Sequence, residues 1–411
     1  MKVKQILALV LALVMCFALA SCGEKKPSDT PSDAPSAEPG TTEAPAADVS
    51  FEKEGVIKLG GIGPITGDLA QYGVAVQLGA ELAVAEINAA GGINGYEVAF
   101  KMEDDTGAAD IAVNAYNALK DWGMQTLVGT VTSTPCVAVS AEAVNDNMLL
   151  LTPSGSSIDA ISAGDTCFRV CFSDDNQGIV AADYIADKAL ATKVGVIFNS
   201  SDSYSTGIKD NLVAEAAKKG LEIVAAEAFT NDNATDFSAQ LNNVKDAGAE
   251  LVFLSMYYTP ASLLLKQAKD MGYAPIFFGP DGMDGILGME NFDTTLAEGL
   301  RYLTPFLENA TDDATVKFVE SFKAKYPDRA SYLNQFAADA YDAIYALKAA
   351  YELADVTPET SVSDAGNLLK DALQKVSVDG VTGTAMVWDA DGEPQKQPRV
   401  AIINNGVVEA A

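Results

Sequence analysis

From Val56 onward, short apolar segments alternate with amphipathic ones, and that alternation restricts the chain to a small set of folds. The strand-like segments are 57–62, 97–103, 126–129, 148–152, 193–199, 222–228, 251–256 and 276–279. Helical patterns lie between them over 76–89, 111–121, 177–188, 205–219, 237–247 and 260–271. Strands apolar on both faces and separated by helices indicate an α/β protein whose parallel sheets are covered on each side.

The pattern runs twice, over 56–166 and again over 193–299, each about the size of one open α/β lobe. Helical segments at 314–325 and 336–353 follow, then a strand pair around 384–388 and 399–403. Elements arriving after two complete lobes imply that the chain returns to finish the first lobe and adds to the second. Multiple crossings of this kind make a hinge. The roughly 360 residues beyond position 50 also exceed what one small core holds.

The N-terminus carries an address. Lys2 and Lys4 precede an apolar run over 6–19, and small residues lead to Cys22 in Leu19-Ala20-Ser21-Cys22. The run is shorter than the roughly 20 residues of a membrane span. The pattern resembles a bacterial lipoprotein signal, which implies removal of residues 1–21 and lipidation of Cys22. An ordinary signal peptide with an incidental cysteine is the alternative, and either one takes the mature chain out of the cytoplasm. Residues 22–50 are rich in Pro, Ser, Thr, Ala and acid, with no large apolar residue before Val49. Such a segment is expected to be a disordered tether.

Composition removes several functions. The net charge of −30 becomes −32 once Lys2 and Lys4 leave with the signal, so neither nucleic acid nor anionic lipid is expected as a partner. There is no histidine, which excludes Ser-His-Asp and Cys-His nucleophilic sites and the commonest catalytic metal ligand. Cys136, Cys167 and Cys171 are expected as buried free thiols, since an extended strand would hold Cys167 and Cys171 about 13 Å apart, beyond disulfide reach. No enzyme activity, cofactor or metal is expected.

In open α/β sheets ligands bind beyond the carboxyl ends of the strands. After 126–129 comes Thr130-Val131-Thr132-Ser133-Thr134-Pro135, and after 148–151 comes Thr152-Pro153-Ser154-Gly155-Ser156-Ser157. Both loops are dense in hydroxyls and both are expected to lead into a helix, where backbone N–H groups favour an anion such as a carboxylate. Plain helix capping by Ser and Thr is the competing explanation. In the second lobe, strand 276–279 runs into Pro280-Asp281-Gly282, where an acid could meet a cation, although turn chemistry alone also uses Pro-Asp-Gly. Tyr72, Tyr204 and Tyr257-Tyr258 follow strands at equivalent ends. Hydroxyls in one lobe, an acid in the other and tyrosines between them suit a small zwitterion.

Gly67-Asp-Leu-Ala-Gln71-Tyr72-Gly73, Ala85-Glu-Ile-Asn-Ala-Ala-Gly-Gly-Ile-Asn-Gly95 and Phe278-Gly-Pro-Asp-Gly282 are similar to motifs of the type I solute-binding proteins. The nearest group is the leucine/isoleucine/valine-binding proteins of ABC importers, and the resemblance spans about 56–407. It implies a two-lobed periplasmic-binding-protein fold with the ligand in the inter-lobe cleft. One lobe is then 54–173 plus 305–395, and the other 174–304 plus 396–411. It further implies that Ser133 holds the ligand carboxylate together with the loop of Ser154 and Ser156. Tyr72, Tyr204 and Tyr257 pack over the ligand, and Asp281, followed by Gly282, takes the α-ammonium. Branched-chain binders often have glutamate at that point, so the aspartate shifts the reach.

The resemblance implies an extracytoplasmic monomer, held at the outer face of the membrane by its lipid, which delivers an amino acid, branched-chain or otherwise apolar, to an ABC permease. Two alternatives share the fold. One binds an amide, urea or short-chain acid, which gives no use for a carboxylate opposite the hydroxyl loops. The other is a ligand sensor domain, for which the sequence encodes no cytoplasmic output.

Overall fold

The computed structural model describes residues 50–411. The expected signal peptide over residues 1–21, the lipidation site Cys22 and the tether as far as residue 49 lie outside the described residues.

The first lobe is laid down by β1 (Val56–Gly63), α1 (Ala70–Ala89), β2 (Glu97–Asp104), α2 (Ala109–Trp122), β3 (Thr126–Gly129), α3 (Ser133–Asn145), β4 (Leu150–Thr152) and β5 (Cys167–Arg169). Its sheet has the order β2-β1-β3-β4-β5, and every pairing is parallel. Leu59 sits beside both Phe100 and Thr126, and Leu151 beside Phe168. This register brings the carboxyl ends of the strands to one edge, from which the loops with Tyr72, Ser133 and Ser154 emerge.

The chain then crosses to a second sheet through α4 (Asp174–Asp187). Here lie β6 (Lys193–Asn199), α5 (Ser203–Lys219), β7 (Glu222–Phe229), α6 (Ser238–Asp246), β8 (Leu251–Ser255), α7 (Tyr258–Asp270), β9 (Ile276–Gly279) and β10 (Arg301–Thr304). It returns to pack α8 (Asp313–Lys325), α9 (Gln335–Ala354) and α10 (Val362–Leu373) on the first lobe, with α9 lying along α1. A last crossing delivers β11 (Arg399–Asn404) and β12 (Val407–Ala410) to the second sheet, whose order is β12-β11-β10-β9-β8-β6-β7. The strands from β6 to β10 pair in parallel, and β11 and β12 close the edge antiparallel.

The α/β, two-sheet architecture agrees with the expectation from sequence, and the segments 126–129, 193–199 and 276–279 match β3, β6 and β9 to the residue. Two local expectations need correction. Residues 384–388 form no strand: only isolated bridges, Val378 with Met386 and Trp388 with Pro394, occur there. The segment is braced from the side instead, with the buried Trp388 indole donating to the carbonyl of Arg169 at 2.7 Å. The second hydroxyl loop does not lead into an α-helix, because only a three-residue 3-10 turn, Ile158–Ala160, follows it.

Helix α1 also begins earlier than its apolar pattern suggested, at Ala70, so Tyr72 lies in its first turn. Gly73 makes this possible, since a Cβ there would stand 2.2 Å from the Pro64 carbonyl oxygen. Cys136, Cys167 and Cys171 are buried and unpaired. No helix among the described residues is long and apolar enough to cross a membrane.

Candidate ligand-binding cleft

Tyr72, Val131, Thr132, Ser133, Ser154, Tyr204, Tyr257, Asp281, Gly282 and Phe336 surround one small cavity between the two sheets. Seven of the eight residues expected from sequence are thus brought together. Ser156 is the exception. It is buried deeper in its loop, with its hydroxyl beside the Asp174 carboxyl.

The first-lobe wall is polar. Ser133 opens α3, and no side chain caps that helix, so the positive end of its dipole faces the cleft. The Ser133 hydroxyl oxygen accepts from the Ser157 N–H at 3.1 Å, which ties it to the neighbouring loop. Ser154 donates to the Val131 carbonyl at 2.7 Å, and Thr152 donates to the Thr130 carbonyl at 2.7 Å. Both hydroxyl loops are therefore fastened to each other as well as to their strands.

The second-lobe wall is acidic and aromatic. Asp281 follows β9 and is buried. Its carboxylate accepts from the Tyr204 hydroxyl at 2.7 Å, its N–H donates to Gln177 Oε1 at 2.9 Å, and its carbonyl accepts from Gln335 Nε2 at 3.1 Å. Burial pushes the Asp281 carboxyl up to about 7, against the opposing pull of the Tyr204 and Gln177 hydrogen bonds. A carboxylate held at this cost gains most from a cationic partner. Burial likewise raises Asp202 and Asp174, and it keeps the Tyr72, Tyr204 and Tyr257 hydroxyls neutral by pushing them well up.

The tyrosines join the two walls. Tyr204 stacks on Tyr257 with centroids 4.7 Å apart, and Tyr72 packs edge-on against Tyr257 at 5.6 Å and tilted against Phe336 at 4.3 Å. The Tyr72 hydroxyl donates to the Gly282 carbonyl and accepts from the Tyr258 N–H at 3.2 Å. Further bonds cross nearby: Thr134 to Asp202 at 3.0 Å, Gln71 to the Gly288 carbonyl at 2.6 Å, and the Gln335 N–H to Asp284 at 2.9 Å. This is a closed arrangement. The central cavity has about 10 Å³ of room, roughly one water, while a wider space of about 550 Å³ adjoins it along Thr132, Thr134, Asp202 and Tyr257.

Sequence reasoning missed Phe336 and Gln177, while Thr132 was included only as a member of the first hydroxyl loop. Phe336 arrives with α9 after the second crossing, far from the other site residues in sequence. The signal that could have found it is Asn334, whose side chain accepts from the Phe336 and Ala337 N–H groups and so marks a helix start.

Residues 56–407 match the family described as periplasmic binding protein. The Leu/Ile/Val-binding protein homolog 3 of Brucella melitensis is 33% identical over 311 residues, 74% of this chain and 81% of that protein. A leucine-, isoleucine-, valine-, threonine- and alanine-binding protein of Pseudomonas aeruginosa is 29% identical over 312 residues, covering 75% and 81% respectively. Among solved structures, the branched-chain amino acid transporter substrate binding protein LivJ of Streptococcus pneumoniae, in complex with isoleucine, superposes with a TM-score of 0.77 at 28% identity. That match covers 86% of this chain and 98% of LivJ. The chain belongs to the type I periplasmic binding proteins, in the group of the Leu/Ile/Val-binding proteins. It is a binding protein of the transporter class and not an enzyme.

Proposed function

We propose that this protein captures an amino acid with an apolar, branched side chain outside the cytoplasm and hands it to an ABC permease. Ser133 at the start of α3, with the 152–157 loop, holds the ligand carboxylate, and Asp281 holds the α-ammonium. Tyr72, Tyr204, Tyr257 and Phe336 enclose the side chain. The observation that carries this reading is that Ser133 and Asp281, which follow strands of different sheets, line the same aromatic-walled cavity.

Each lobe grips one end of the ligand, so the closed form alone satisfies both ends, and binding shifts the open–closed balance that the permease reads. The moving bodies are 54–173 with 305–395 and 174–304 with 396–411. The limited room in the closed cleft means that admitting leucine requires the lobes to part at the crossing segments. Charge-assisted hydrogen bonds worth about 1.5–3 kcal/mol each, less ordering and closure costs, give micromolar affinity, about −8 kcal/mol. The protein acts as a monomer, carried on a lipid at Cys22 by its 22–50 tether.

The test is a thermal-shift screen of the full chain against the amino acids, since stabilisation grows as RT ln(1 + [L]/Kd). Leucine, isoleucine or valine should stand out. Asp281→Ala should abolish the shift while circular dichroism stays unchanged, and Ser133→Ala should weaken binding by about tenfold or more. Retained affinity in Asp281→Ala would refute the ammonium role.

A further inference from the structure

We propose that Arg169 is the positioning residue of the carboxylate grip: it holds the 152–157 loop by two carbonyls and polarises a hydrogen-bond relay ending on the Ser133 hydroxyl. This rests on the amino-acid reading above and adds what sets the strength of its anionic half.

Arg169 closes β5 beside Thr152 and is one of the largest fully buried side chains in the protein. Burying a guanidinium is costly unless its charge is used. Its Nη1 donates to the Gly155 carbonyl at 3.1 Å and to the Ser156 carbonyl at 2.5 Å. Among the described residues, the one acid in ionic contact is Glu393, whose carboxylate lies 3.0 Å from Nη2 and whose side chain is 28% exposed. That contact lies off the hydrogen-bonding direction, which leaves Nε and Nη2 without hydrogen-bond partners. Burial pushes the nearby Asp174 carboxyl up, which weakens it as a counter-charge. Arg169 therefore divides its charge between Glu393 on one side and two loop peptides on the other.

A trans peptide is planar, with its N–H opposed to its carbonyl. Drawing the Gly155 and Ser156 carbonyls toward Arg169 aims the N–H groups of Ser156 and Ser157 away from it. The Ser157 N–H reaches Ser133 Oγ at 3.1 Å, and Ser133 lines the cavity. Accepting that bond leaves the hydroxyl proton of Ser133 free to be donated into the cleft. In such a chain each bond strengthens the next. The sequence of groups is guanidinium, Ser156–Ser157 peptide, Ser133 hydroxyl, ligand carboxylate. A simple brace would affect all ligands alike, whereas the relay acts on the anionic end alone.

The experiment is calorimetry on the full chain with leucine and with leucinol, which keeps the amine and side chain but has a hydroxyl in place of the carboxylate. Arg169→Met should weaken leucine about tenfold or more while leucinol stays within about twofold. Glu393→Gln keeps the arginine and removes the negative charge competing for it, so leucine should tighten about threefold with leucinol unchanged. That second variant carries the test if Arg169→Met does not fold. Equal losses for both ligands in Arg169→Met, or no change for leucine in Glu393→Gln, would overturn the relay while leaving the amino-acid reading in place. A wild-type protein that binds leucinol as tightly as leucine would overturn the carboxylate grip itself.

Discussion

Replacing Asp281 with asparagine separates what the buried carboxylate costs from what it is used for. Burial carries Asp281 from its ordinary 3.8 to about 7. A rise of about three units, at about 1.36 kcal/mol each, makes the ionised group cost the ligand-free protein about 4 kcal/mol. The folded chain holds this proton more tightly than the unfolded one. The resulting stability is therefore fully present below pH 3.8 and is lost as pH rises through about 7. Asparagine has no such titration. Asp281→Asn should match wild type near pH 4 and exceed it by about 4 kcal/mol near pH 8. At about 2.1 cal/mol/K of unfolding entropy per residue, that is about 5 °C in Tm. Asp284 and Asp342, raised to about 6, and Asp105, raised to about 7, also tilt the profile, but both proteins contain them and they drop out of the difference.

Ligand binding should move the other way. An ammonium requires ionised Asp281, so wild-type affinity for leucine should fall about tenfold per unit below pH 7. The asparagine variant should bind weakly and without that slope. Calorimetric unfolding and ligand titration between pH 4 and 8 measure both effects. A variant no more stable than wild type at pH 8, together with a flat wild-type affinity, would refute the reasoning.

Three other perturbations follow from the geometry. Tyr72→Phe removes the hydroxyl that joins the Gly282 carbonyl to the Tyr258 N–H, so small-angle scattering should show a more open ligand-free protein and leucine should bind about tenfold more weakly. Gly282→Ala would place a Cβ 2.6 Å from the Tyr204 hydroxyl and 3.1 Å from the Tyr257 ring. Titration should find binding lost while circular dichroism is unchanged. Lys396→Met strips the partner from Asp339, which it contacts at 2.6 Å beside Thr382 and the Val170 carbonyl at the crossing segments. Urea unfolding near pH 8 should show a loss of about 3–5 kcal/mol, shrinking at low pH as Asp339, raised by burial, takes up a proton.

Segments such as 126–129 and 276–279 were legible because they are unbroken apolar runs ending in turn residues, the mark of a strand buried on both faces. The short strand Cys167–Arg169 was not, because an arginine reads as a surface residue until its buried partners are known. Arg301–Thr304 likewise begins on an arginine, here only half-buried, and offers just three buried residues after it. The expected strand at 384–388 had the right composition, but Trp388 is held by a side-chain bond to the last residue of β5 and not by a ladder. In the site, Ser133, Tyr204 and Asp281 could be found because each follows a strand, where α/β sheets bind ligands. Phe336 and Gln177 sit on helices that the crossings bring to the cleft; Asn334 marks where the helix of Phe336 starts, but local sequence does not record where that helix arrives. Asp174 looks like an ordinary acid in the first turn of a helix, and burial alone sets it apart.

The most direct measurement is a crystal structure of the protein grown with leucine. The account requires the α-carboxylate within hydrogen-bonding distance of Ser133 Oγ and the α-ammonium on Asp281, with the isobutyl group among Tyr72, Tyr257 and Phe336. Leucine bound elsewhere, or turned so that its ammonium faces Ser133, would contradict it.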